Sequence, residues 1–128
     1  MAKADYQKLK QPMRSVMRIV YACHWSIKGF KSTLKTEEAF RQEVLLLIIL
    51  APLGYWLGET GIERSLLIGA VLIVLIVELL NSAVETAVDR ISDEHHKLSG
   101  KAKDQGSAAV FVALVLAAMT WLLILIGQ

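Results

Sequence analysis

Three apolar stretches separated by short polar turns organise this sequence, and a polar stripe breaks into the second of them. Ahead of all three, from Pro12 to Lys31, apolar residues recur at helical spacing. Val16, Val20, Cys23, Ile27 and Phe30 make one face, while Arg14, Arg18, His24, Lys28 and Lys31 make the other. Such a helix can pack on a soluble surface, but an apolar face backed by Lys and Arg favours a position in the plane of a membrane interface. Residues 1–11 are polar and read as a loosely ordered N-terminus. After a short polar link, Thr36-Glu37-Glu38 has the composition of a helix start. Thr36 is the expected cap, and the acidic residues meet the positive end of the helix dipole. The first spanning helix is expected over 36–57, with a kink at Pro52 of a kind that membrane helices tolerate.

Gly58-Glu59-Thr60-Gly61 forms a turn into a second helix, expected over 63–91 and apolar through Val77. Beyond that point Glu78, Asn81, Ser82, Glu85 and Asp89 fall on one side of a helix of about 3.6 residues per turn. Val77, Leu79, Leu80, Ala83, Val84 and Val88 cover the rest. Ser92–Lys103 is charged and reads as a loop in which Gly100 breaks the helix, with a third helix over 105–126. Each stretch, with its flanks, approaches the roughly 20 residues that a bilayer crossing requires. The fold class is therefore all-α integral membrane: an N-terminal amphipathic surface helix plus three transmembrane helices, in a single domain spanning 1–128.

Composition sharpens this picture. The 128 residues are 55% hydrophobic, with a mean hydropathy of +0.49. A unit of three helices has little interior, so covering several polar side chains calls for other subunits. The single cysteine, Cys23, excludes an internal disulfide, and no cleavable signal peptide is evident. Net charge is only +2, so basic character belongs to the N-terminal segment and not to a nucleic-acid-binding module. Eight Lys or Arg precede residue 36, the first turn has only Arg64, and the second has Arg90, Lys97, Lys101 and Lys103. The positive-inside rule then puts the N-terminus and the second loop in the cytoplasm and the C-terminus on the opposite face.

That orientation brings two acidic groups to the cytoplasmic end: Glu37, Glu38 and Glu43 at the start of one helix, and Glu78, Glu85 and Asp89 at the end of the next. Carboxylates in a lipid-soluble segment are costly unless they meet partners, so Glu78 and Glu85 are functional candidates. Converging carboxylates suit Mg²⁺, a hard cation that shares oxygen ligands with nucleotide phosphates. Lys101 and Lys103 can face phosphate oxygens from the loop, or simply snorkel beside the membrane. Asn81 adds a neutral donor and acceptor. These are parts of a phosphoryl-transfer site, where positioning and charge neutralisation do most of the catalysis. His95-His96 lacks a supporting ligand pair, and neither a P-loop nor a G-x-G-x-x-G turn is present.

Two elements carry a family resemblance: Glu78-Leu79-Leu80-Asn81-Ser82-Ala83-Val84-Glu85-Thr86-Ala87-Val88-Asp89-Arg90, and Lys103-Asp104-Gln105-Gly106-Ser107-Ala108-Ala109. With Glu37-Glu38-Ala39-Phe40-Arg41-Gln42-Glu43 upstream, they resemble the prokaryotic diacylglycerol kinase family over about residues 14–126. The resemblance implies a homotrimeric kinase of the bacterial inner membrane, with a periplasmic C-terminus, that transfers the γ-phosphate of MgATP to diacylglycerol. It implies that Glu78 is the general base and that Glu37 and Glu85 bind the metal. Arg18, Trp25, Asn81, Glu94, His95, His96, Lys103 and Asp104 correspond to nucleotide contacts, joined by Glu37 and Glu85 through the metal. Ser107, with Glu78, corresponds to the lipid side. The chain departs from the family pattern at Trp25 and His95, where tyrosines are expected, so any contact through those hydroxyls is lost.

Two other readings compete. An undecaprenol kinase shares much of the same pattern, although the Asn81-Ser82-Ala83 and Asp89-Arg90 wording is nearer to the diacylglycerol branch. A small oligomeric proton-coupled transporter would also use a membrane Glu stripe. It would not need Lys103-Asp104 or the carboxylates of the first spanning helix.

Overall fold

The computed structural model describes residues 15–128. The expectations for 1–11, and for the start of the surface helix at 12–14, lie outside the described residues. The chain falls into two compact units divided after Lys35. Every regular element in the described residues is a helix.

The first unit is built on α1, Ser15–Thr36. The helix runs past Lys31, where the sequence pattern ended it, because the segment after Gly29 contains no Gly or Pro and Leu34 continues the apolar stripe at helical spacing. The Ser26 and Thr33 hydroxyls donate back to the Ala22 and Gly29 carbonyls at 2.8 and 3.0 Å, an arrangement that suits β-hydroxyl residues inside helices. No residue of α1 is buried.

In the second unit, α2 spans Glu38–Leu57, α3 Gly61–Ile91 and α4 Lys97–Gly127. All three are long and apolar enough to cross a membrane. Thr36 does not cap α2. It closes α1, and Glu37 occupies the N-cap position in extended backbone without a side-chain cap hydrogen bond. α2 continues unbroken through Pro52. α3 starts at Gly61, earlier than its apolar pattern indicates, because Thr60 caps it and Glu63 reaches back to the residue before the cap. The Thr60 hydroxyl accepts from the Glu63 amide at 3.1 Å, and the Glu63 carboxylate accepts from the Glu59 amide at 2.8 Å.

α4 differs most from expectation. It starts at Lys97, not 105, and Gly100 lies inside it. The His96 Nδ1 accepts from the Leu98 amide at 3.1 Å and caps the helix. Lys101, Lys103 and Asp104 therefore stand on a helix, and the loop shrinks to 92–96. At 31 residues each, α3 and α4 are about 46 Å long, some 16 Å more than a hydrocarbon core of about 30 Å. The surplus is long enough to carry their polar turns beyond such a core.

α3 packs against both α2 and α4. The core is small: Phe40 and Leu67 are fully buried, joined by Ala70, Val71, Val74, Leu75 and Ala113. The indole Nε1 of Trp121 donates to the Leu67 carbonyl at 2.9 Å. Gly54 completes this junction, since a Cβ there would lie 3.1 Å from the Leu67 Cβ and 3.3 Å from the Trp121 ring. Gly54→Val is expected to destabilise the fold by about 1–3 kcal/mol through overpacking, read as a lower unfolding midpoint in bicelles. An unchanged midpoint would show that the junction has room to spare.

Candidate active site

The polar stripe of α3 forms as its periodicity requires. Glu78 is only 6% exposed and Ser82 8%, while Asn81 and Glu85 are half-buried and Asp89 is exposed. Glu85 follows Glu78 by two turns, about 10 Å along the axis, and Asp89 lies another 6 Å on. The Asn81 Nδ2 donates to the Glu85 carboxylate at 3.4 Å, a long bond of i,i+4 spacing. Glu37 and Glu43, at the start of α2, join this group. Glu78 lies within electrostatic reach of Glu37 and Glu85, and Glu43 within reach of Glu78. The carboxylates at the start of α2 and on the stripe of α3 therefore feel one another's charge.

Two features were not legible as roles in the sequence. The Glu43 Oε2 is buried without a hydrogen-bond partner among the described residues, at the edge of an apolar cavity of about 80 Å³ lined also by Leu46, Leu50, Val71, Val74, Leu114 and Ala117. Its place on the acidic turn of α2 was visible, but not its burial. Gly106, inside the second motif, meets Asn81: a Cβ there would overlap the Asn81 amide oxygen.

Nearer the helix ends, a cleft of about 460 Å³ opens between the end of α3, the 92–96 loop and the first turns of α4. Glu94, His95, His96, Lys103 and Asp104 all line it, with Asp89 and Asp93. Five of the residues assigned to the nucleotide thus share one cavity. The Lys103 Nζ donates to Asp89 at 2.8 Å across that cleft. The pair is substantially exposed, so its contribution to stability is small, and Lys103 can exchange partners at little cost. Ser107 is exposed on α4, just beyond this end. Arg18 and Trp25 belong to α1, in the other compact unit. There, the Lys28 Nζ stands 5.1 Å from the Trp25 ring centroid and the His24 ring meets it edge-on at 5.4 Å.

Among the described residues, no three His, Cys, Asp or Glu side chains of one chain gather into a ready metal site. The donor chemistry nevertheless fits a hard divalent cation. The Glu37 carboxylate is not spent on capping α2, and Glu85 accepts a long bond from Asn81. Two carboxylates leave most positions of an octahedral ion to phosphate oxygens and water.

The sequence profile described as prokaryotic diacylglycerol kinase matches residues 24–125. The chain belongs to that family. It is 54% identical over 103 residues to a diacylglycerol kinase of Haemophilus influenzae, covering 80% of this chain and 87% of that one. To the diacylglycerol kinase of Pseudomonas aeruginosa it is 51% identical over 110 residues, covering 86% and 89%. To that of Escherichia coli K12 it is 47% identical over 108 residues, covering 84% and 88%. The protein is a kinase, and its three apolar helices mark it as an integral membrane one.

Proposed function

We propose that the kinase transfers the γ-phosphoryl group of ATP to the free hydroxyl of diacylglycerol, giving phosphatidic acid and ADP. The reaction takes place where the inner ends of α2 and α3 meet the cytoplasm, in the bacterial inner membrane. The observation that carries this reading is Glu78, a buried carboxylate in an apolar helix within electrostatic reach of Glu37 and Glu85. A helix needed only to span a bilayer has no use for such a costly group.

In this reading the lipid enters sideways from the bilayer and its hydroxyl meets Glu78. The Glu78 carboxylate takes the hydroxyl proton as the hydroxyl oxygen bonds to the γ-phosphorus. The bond from that phosphorus to the bridging oxygen breaks, and ADP leaves with the electron pair. Glu37 and Glu85 hold Mg²⁺, which when bound offsets the negative charge of the phosphate oxygens. Asn81 lies beside Glu85 near the reacting phosphates. Lys103, Asp104, Glu94, His95 and His96 receive the nucleotide in the cleft that they line, with Lys103 releasing Asp89 for phosphate. Ser107 serves the lipid side. Arg18 and Trp25 are carried over as nucleotide contacts from the family pattern alone.

The kinase works as a homotrimer, with α1 in the interface plane, the N-terminus cytoplasmic and the C-terminus periplasmic. The small core supports the trimer, as do large apolar side chains left exposed on all three spanning helices, among them Trp56, Ile76 and Leu123. The exposed Val16, Ile19, Val20 and Ile27 support the interfacial helix, and the distribution of Lys and Arg supports the orientation.

The direct test incubates purified protein with γ-labelled ATP, Mg²⁺, and either diacylglycerol or undecaprenol in mixed micelles. Label is expected in phosphatidic acid. Label in polyprenyl phosphate alone would overturn the substrate, and label in neither lipid would remove both as substrates of the kinase.

A further inference from the structure

Asn81 is held in a costly way. Its Oδ1 is buried and has no hydrogen-bond partner among the described residues, although buried acceptors in native folds nearly always find one. The amide has no freedom to turn round. Only its Nδ2 can face the Glu85 carboxylate, since two oxygens would repel. Donating to Glu85 therefore commits Oδ1 to the opposite side, which is α4. There it meets Gly106, and the backbone of α4 can come so near because that residue has no side chain: an added Cβ would overlap Oδ1 and lie within 3.2 Å of the Asn81 Cγ. Gly106 lies well inside α4, at a position where glycine weakens a helix relative to alanine. The helix itself gains nothing from glycine here, whereas the Asn81 amide requires it.

We infer that Gly106 is a positioning residue for phosphoryl transfer: its bare Cα is the socket that seats the Asn81 amide oxygen and so turns the amide nitrogen onto Glu85. This inference rests on the proposed placement of Asn81 and Glu85 beside the metal and phosphates. The socket belongs to α4, and the residues that it orients belong to α3. The first turns of α4 thus contribute twice, with Lys103 and Asp104 at the cleft and with Gly106 behind the carboxylate.

Partners that orient metal-binding side chains typically govern metal affinity or activity by about 10- to 100-fold. Gly106→Ala is expected to lose activity by a factor in that range and to raise the Mg²⁺ concentration for half-maximal rate, with the KM for diacylglycerol unchanged. A purely structural role would not move the Mg²⁺ dependence alone. Since the alanine acts by displacing Asn81, the double variant Gly106→Ala with Asn81→Ala is expected to be no slower than Asn81→Ala by itself. Near-normal activity of Gly106→Ala, or losses that multiply in the double variant, would overturn the inference. If Gly106→Ala fails to assemble, Asn81→Ala should restore assembly, and failure to restore it would equally overturn the socket. Near-normal activity of Asn81→Ala alone is a different failure, because it would remove Asn81 from the proposed site.

Discussion

Glu78→Gln is expected to slow phosphoryl transfer by about 10²- to 10⁴-fold, the usual contribution of a general base, while the protein stays folded. Glutamine keeps the shape and most of the polarity of the side chain but cannot take up the lipid hydroxyl's proton. The nucleotide cleft lies about three turns further along α3, so the KM for ATP should change little. Stability should move in the opposite direction. Glu78 is buried within electrostatic reach of Glu37 and Glu85, with Glu43 also within reach of it. Removing its charge relieves both desolvation and like-charge crowding. A slower enzyme with a higher unfolding midpoint is the expected pair of results, measured with a coupled assay and by denaturant unfolding in bicelles. Such a trade is common where a site keeps an unfavourable group for its chemistry. Full activity would remove Glu78 from the reaction.

Glu85→Gln is expected to abolish turnover by a different route. Its carboxylate is half-buried, accepts a long bond from Asn81 at 3.4 Å, and is proposed as one of two side chains that would hold the metal and so supply charge neutralisation to the ATP phosphates. The amide removes the charge that attracts the cation. Activity should therefore fall by at least about 100-fold, and excess Mg²⁺ should recover part of it. The oligomer, seen by crosslinking or size-exclusion chromatography, should be unchanged. Near-normal activity at ordinary Mg²⁺ would take Glu85 out of the site.

Much of this was legible in residue spacing, for identifiable reasons. The three spanning helices follow from the length of apolar runs, and the stripe on α3 follows from the helical period, which sets Glu78, Asn81, Ser82, Glu85 and Asp89 on one side whatever packs against them. Helix ends were less legible because they depend on single hydrogen bonds. Thr36 looks like a cap but ends α1. His96, an uncommon cap, starts α4 two turns early, through Gly100, and so moves Lys103 and Asp104 from a loop onto a helix. Contacts between helices were not legible at all. The Lys103–Asp89 pair, the burial of Glu43 and the seat of Asn81 on Gly106 depend on the rotation of one helix against another, which no pattern along a single helix encodes.

Everything proposed for the mechanism turns on Glu37 and Glu85 holding the metal that carries ATP. Mn²⁺ can replace Mg²⁺ as a paramagnetic reporter, and its binding to the assembled kinase in the presence of a non-hydrolysable ATP analogue can be followed by electron paramagnetic resonance. The wild-type protein is expected to bind the Mn²⁺–nucleotide complex with signal broadening from protein ligands. Glu37→Gln and Glu85→Gln should each weaken that binding by about 10- to 100-fold. Equal binding in wild type and both variants would contradict the account.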